Sequence, residues 1–279
     1  HKLRRPSTAG IRRLPTPTTP SIVKSQFDEP PSVDDLNYLR TSAIVRLSLL
    51  SGALRGRNVS LDWLTEMSVK QLTVWAPGHS IPELPKLALA ELESLTLLGK
   101  SKKPLRGDYF PRLRYASVDI GQIEGPLSDF SYLEVLVLGA VRDGSLNMIS
   151  GCRKLKSVSI EIARGVRVRE FDLRTDVPPV NLEILDIQGA GVSSLQGVES
   201  LPNLEEIVVN HRGRKRLDNI VDLAPLATCR KLRRVILYYN GDLVNADVLT
   251  TLPALERVMA VRGHILPPLP LAPWLHTFG

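Results

Sequence analysis

Residues 182–209 read LEILDIQGAGVSSLQGVESLPNLEEIVV. The triplet Leu182, Leu185, Ile187 returns as Leu204, Ile207, Val209 after twenty-two residues, with Val192, Leu195, Val198 and Leu201 between. Within LEILDI the apolar residues alternate with Ile184, Asp186 and Gln188, the period-two signature of a strand with one buried face. A unit of this length cannot bury that face alone. It needs a like unit stacked on each side.

The same L-x-x-L-x-L frame extends in both directions. It starts at Ile44 (IVRLSL), Val69 (VKQLTV), Leu92 (LESLTL), Leu113 (LRYASV), Leu133 (LEVLVL) and Leu155 (LKSVSI), then again beyond Leu204 at Leu232 (LRRVIL) and Leu255 (LERVMA). A truncated copy, LHTFG, begins at Leu275. Three specified apolar sites would coincide by chance about 6% of the time, so ten near-regular copies are a design of the chain. The frame resembles the leucine-rich repeat, and LEILDIQGAGVSSLQGVESLPN is similar to the 22-residue class found in bacterial internalins and in a phosphatase-regulating subunit. The resemblance implies an α/β solenoid. Its curved parallel sheet lies on the concave side, with short 3-10 or α turns on the convex side. It also implies an Asn after each strand to bond the turning backbone. Here Gly99, Gly139 and Gly189 stand near that position, and only Asn210 and Asn240 are candidates for the role.

Two intervals are long. Between Leu155 and Leu182 lies an extra apolar motif, VREFDL, containing Val168, Phe171 and Leu173. It reads as a non-standard long repeat with its own strand, with an extra short repeat or a hairpin over 158–173 as the other options. Between Leu204 and Leu232 lies HRGRKR (His211, Arg212, Arg214, Lys215, Arg216), expected on the rim beside the concave face, followed by a short helix in DNIVDLAPLATC.

Composition and charge limit the remaining readings. The chain has 279 residues, 43% hydrophobic and 5% aromatic, so aliphatic side chains must fill the core. No apolar run is long enough for a membrane-spanning helix. The net charge of +7 is uneven: residues 1–26 hold Lys2, Arg4, Arg5, Arg12, Arg13 and Lys24 and no acid. That segment, rich in Pro, Ser and Thr, reads as a flexible basic tether. Residues 27–43 read as a capping segment with a short helix near Val33, and 44–279 as the repeat domain. The first residue is His1, which reads as the start of an excised or processed piece with something upstream. Cys152 and Cys229 each stand three residues before a frame leucine. The shared position suggests small buried side chains rather than a disulfide, since equivalent positions several coils apart exceed the ~7 Å that a bridge tolerates.

Linear catalytic motifs of the Walker, HExxH and GxSxG kinds are absent from the sequence, and the five histidines have no metal-ligand spacing. The chain reads as a non-enzyme with no cofactor and no metal. The residues between the leucines carry the functional reading. On the exposed face we expect Tyr115, Asp119, Glu161, Glu170, Asp172, Asp186 and Glu206 in the middle. Trp75 stands toward the N-terminus, and Arg234, Ile236, Tyr238, Arg257 and Met259 toward the C-terminus. Carboxylates beside apolar and aromatic groups point to a protein partner with a basic patch. The chain would then be the recognition part of a larger signalling or defence protein, or an inhibitor or immunity-type protein, in the cytoplasm. Nucleic-acid or anionic-surface binding through the tail and HRGRKR is the alternative, disfavoured because aromatics are absent from the tail. Regulation of an enzyme encoded upstream is a third reading. The oligomeric state is open at this level.

Overall fold

A computed structural model describes residues 23–41, 44–54, 59–212, 217–238, 240–261, 264–266 and 275–278. In chain order the strands are β1 (Val23–Phe27), β2 (Ile44–Leu50), β3 (Gln71–Ile81), β4 (Ser94–Ser101), β5 (Leu105–Arg106), β6 (Tyr115–Asp119), β7 (Ile123–Glu124), β8 (Val135–Val141) and β9 (Ser157–Ile162). They continue as β10 (Ile184–Gln188), β11 (Glu206–Asn210), β12 (Ile220–Asp222), β13 (Arg234–Tyr238), β14 (Asp242–Val244), β15 (Arg257–Val261), β16 (Ile265–Leu266) and β17 (Leu275–Phe278). Twelve of them form one parallel sheet in the order β1-β2-β3-β4-β6-β8-β9-β10-β11-β13-β15-β17.

Each frame of the sequence contributes one strand of this sheet, and β1 adds one ahead of them. The fourth and sixth frame positions point inward on every coil from β2 to β15. Leu185 and Ile187 are fully buried, as are Leu136 and Leu138, and Val158 and Ile160. The short 3-10 segments on the opposite side close the core with Leu64, Leu127, Ile149, Val198, Leu226 and Leu249. Coils are stitched by a recurring pair of backbone bonds: Glu205 and Glu206 N–H both donate to the Glu183 carbonyl, and Arg233 and Arg234 N–H to the Glu205 carbonyl.

The helix near Val33 is α1 (Val33–Thr41). Residues 23–26, read as the end of the tether, lie in β1, which pairs in parallel with β2; residues 1–22 lie outside the described residues. The long interval after β9 holds neither an extra sheet strand nor a hairpin. There β9 pairs directly with β10, while Val168 and Asp172 make single parallel bridges to Ala190 and Ser145 in an outer layer. Phe171 and Leu173 bury themselves there instead of opening a new coil. The stretch 217–229 begins with strand β12 before its 3-10 helix, Ala224–Thr228, and β12 leads a second parallel ladder, β12-β14-β16.

The turning backbone is satisfied differently from coil to coil. Asn240 is buried, and its side chain donates to the Val209 and Tyr238 carbonyls at 2.9 Å each and accepts from Val192 N–H at 3.1 Å. Asn210 only accepts from Arg212 N–H, 2.9 Å away within its own turn. Gln122, also buried, accepts from Asp119 N–H and donates to the Gly99 carbonyl, at 2.8 and 2.7 Å.

Candidate binding face

Parallel strands in register turn the outward positions of each strand into rows that cross the sheet. Two registers define the last row at its N-terminal end: Leu50 opposite Trp75, and Trp75 opposite Leu98. Trp75 is 49% and Leu98 37% exposed. β3 then bulges through Ala76–His79 before rejoining β4 at Ser80. The bulge crowds Gly99, whose φ is +143° and whose missing Cβ would lie 2.5 Å from the Ala76 carbonyl oxygen. A side chain at 99 would force the bulge away from Trp75.

Further along, past breaks in the pairing after Thr96 and after Leu138, stand Asp119 opposite Gly139, and then Glu161, Gln188, Asn210 and Tyr238 in register. Asp119 faces Gly139 in register. Burial, and then the charge of Glu161, push the Asp119 carboxyl above its ordinary value. Glu161 is paired with Arg212 at 2.7 Å, and the same guanidinium reaches Gln188 Oε1 at 3.3 Å. Arg212 sits in the left-handed region at φ +54°, so the turn after β11 folds its arginine back across two strands. The sequence places this loop on the rim; Arg212 stands just past the end of β11 at Asn210, and Arg214, Lys215 and Arg216 are outside the described residues. His211 is half-buried, and its Nδ1 has no hydrogen-bond partner among the described residues. Burial and then Arg169 hold its imidazole below the ordinary value.

The middle and first rows carry the other expected residues. Asp186 accepts from the Ser159 hydroxyl at 3.0 Å and from the Gln188 amide. Glu206 is ion-paired with Arg234. Ile236 faces Met259, and Tyr238 faces Val261; the Tyr238 hydroxyl donates to the Met259 sulfur at 3.1 Å. Arg257 faces Arg234. Tyr115 is half-buried beside Ser94 and Val135.

Glu170 and Asp172 are corrections. Neither lies on the inner sheet. The 27-residue interval carries VREFDL past the end of β9, so alternation restarts in the outer layer. There Asp172 is clamped by Arg174, at 2.8 Å to each oxygen, which holds its carboxyl below the ordinary value, and Glu170 accepts from the Ser193 hydroxyl. The face therefore brings together Trp75, Tyr115, Asp119, Glu161, Asp186, Glu206, Arg234, Ile236, Tyr238, Arg257 and Met259, and leaves those two out.

Several residues escaped the sequence reading. Leu50 and Leu98 complete the apolar patch around Trp75; their positions in the frame were enough to find them. Gln122 takes the expected Asn role with a residue type that the pattern does not flag. A charge ladder at the second frame position also went unread. Lys70 pairs with Glu93 at 3.1 Å, and Glu134 is shared between Arg114 at 2.5 Å and Lys156 at 3.3 Å. Arg233 pairs with Glu256 at 2.5 Å and Glu205 at 4.0 Å. Its signal was the alternating charge after each leading leucine.

The two cysteines are buried and free, and burial raises each thiol to about 11. Among the described residues no cluster of three His, Cys, Asp or Glu side chains could hold a metal. No helix among them is long and apolar enough to cross a membrane.

No protein-family model and no curated protein matches the chain. Solved structures do. An internalin from Listeria monocytogenes is similar at 18% identity and TM-score 0.61, over 90% of this chain and 77% of that one. TLR13, solved in complex with ssRNA13, is similar at 16% identity and TM-score 0.52, over 81% of this chain and 38% of that one. The ectodomain of the receptor kinase GASSHO1/SCHENGEN3 from Arabidopsis thaliana aligns at 18% identity and TM-score 0.48, over 80% of this chain and 27% of that one.

Proposed function

We propose that this chain, a leucine-rich repeat solenoid, is a non-catalytic module that recognises a protein partner through the inner face of its sheet. One observation carries the reading. Two apolar groups on that face, Trp75 with Leu98 and Ile236 with Tyr238 and Met259, flank carboxylates at Asp119, Glu161 and Asp186. Trp75 and Leu98 are exposed, and Ile236, Tyr238 and Met259 are half-buried. Large apolar side chains that solvent still reaches on a rigid sheet are groups that a partner would cover, and a polar strip between two apolar anchors is how protein interfaces are built. The fold adds support: an internalin is among the similar solved structures. The partner would carry a basic patch, which suits the recognition part of a signalling or defence protein, or an inhibitor.

The basic loop supports nucleic-acid binding less well. Its described arginine, Arg212, already spends its charge on Glu161, and phosphates would meet the carboxylates beside it. The test is a variant combining Trp75→Ser, Asp186→Asn and Tyr238→Ala. A partner captured with the wild-type chain should bind the folded variant at least tenfold more weakly. Unchanged affinity would overturn the reading, and so would generic DNA binding that falls steeply with salt and vanishes on deleting residues 1–26.

A further inference from the structure

The last row of the face has a polarity of its own. It opens with Leu50, Trp75 and Leu98 in register on β2, β3 and β4. The β4–β6 ladder ends at Thr96; past it Asp119 on β6 faces Gly139 on β8, and Glu161 stands on β9 beside the register shift that follows Leu138. Gly139 leaves room that the Asp119 side chain takes: a Cβ there would lie 2.5 Å from Asp119 Oδ1. The Asp119 carboxylate therefore leans over the glycine toward Glu161. Asp119 has no cation among the described residues, while Glu161 is held from its far side by Arg212. The repulsion between the two carboxylates helps raise the Asp119 carboxyl above its ordinary value; a positive charge between them would relieve it.

The strand order separates the apolar patch from this carboxylate pair. Paired strands are about 4.8 Å apart, so Gly139 lies at least about 10 Å from Leu98 and about 14 Å from Trp75. An extended chain advances about 3.3 Å per residue. Resting on the inner-face recognition argued above, we propose that the partner presents an extended protein segment crossing β3, β4, β6 and β8. It sets one large apolar side chain on Trp75 and Leu98, and a lysine or arginine three to five residues away over Gly139, between Asp119 and Glu161. Charge complementarity selects a polypeptide cation over a phosphate or a lipid headgroup. The apolar patch supplies affinity and the carboxylate pair sets register.

The probe is a phage-displayed library of random dodecapeptides selected on the wild-type chain. Enriched sequences are remade as fluorescent peptides and titrated by anisotropy. The expected result is enrichment of a large apolar residue with Lys or Arg three to five positions away. Affinity should fall more than tenfold on Trp75→Ser or Leu98→Ser, and about three- to tenfold on Asp119→Asn. Gly139→Ala should weaken binding similarly by displacing the Asp119 carboxylate. Unchanged circular dichroism and thermal midpoint show that each variant folds. Enrichment lost on Trp75→Ser or Tyr238→Ala but without a cation, or with a cation at any spacing, overturns this motif and leaves inner-face recognition standing. Peptides indifferent to Trp75, Asp119 and Tyr238 substitutions alike overturn both. No enrichment over uncoated wells counts against the motif.

Discussion

Asn240 shows how much one side chain can organise. Its amide joins three coils: the Val192 N–H, the Val209 carbonyl and the carbonyl of its own Tyr238. Removing it takes this partner from the Val192 N–H and the Val209 carbonyl in a buried site, while the Tyr238 carbonyl keeps the His211 N–H at 3.2 Å. Asn240→Ala should therefore cost about 2–4 kcal/mol, read from urea unfolding, against less than about 1 kcal/mol for Asn210→Ala, whose bond is local. The cysteines give a pH prediction. Each thiol is raised to about 11 by burial, so the folded chain keeps its protons where an unfolded thiol has lost them. That stability is fully present below the unfolded pKa, near 8.5–9, and is lost as pH rises through about 11. The urea midpoint should fall steeply between those values, and the fall should flatten in a Cys152→Ala, Cys229→Ala variant.

Elements are held by repetition, and their weak points are visible as breaks in it. The β4–β6 ladder registers only Ser94, Leu95 and Thr96, against five pairs for β6–β8. At that seam the frame carries Ala116 where most coils have a larger residue, and an apolar void of about 10 Å³ lies among Leu95, Leu113, Ala116 and Leu133. Filling it should help: Ala116→Val is expected to raise stability by about 0.5–1.5 kcal/mol in chemical denaturation. The charge ladder matters less. Glu134 is held below its ordinary carboxyl value by its bond to Arg114, but its partners lie in solvent. Glu134→Gln should cost under about 1 kcal/mol, and the difference should vanish in high salt. Gly99 ties an element to the face. Its backbone conformation and the bulge packed on it allow no side chain, so Gly99→Ala should cost about 1–3 kcal/mol and shift the emission of Trp75.

At the scale of the molecule each coil packs mainly on its neighbours, with few side chains such as Asn240 and Arg212 reaching past one, so stability is a chain of interfaces rather than one core. A buried frame leucine at the centre is common to two interfaces. Leu185→Ala should cost about 3–4 kcal/mol and loosen the coils on both sides. Hydrogen exchange should place the first opening at the β4–β6 seam, with slow amides from β8 to β13; uniform protection across the sheet would refute that ranking.

The sequence by itself determined the architecture. Eleven frames, counting the truncated one, map to eleven strands of the main sheet, because burial on a stack leaves period-two alternation at a fixed interval in the residues themselves. It also marked most of the face, since Trp75, Asp119, Asp186, Tyr238 and Met259 follow from the same alternation. What only the tertiary structure decided lies where the interval breaks. Glu170 and Asp172 read as inner-face carboxylates until the outer layer claimed Phe171 and Leu173. Gln122 replaced an asparagine because a longer side chain could reach the Gly99 carbonyl one coil away. Arg212 turned back onto Glu161 because its backbone entered the left-handed region. Such contacts join residues twenty to fifty positions apart through stacking. Their partners are set by which coil lies beside which, and that adjacency exists only once the chain has folded.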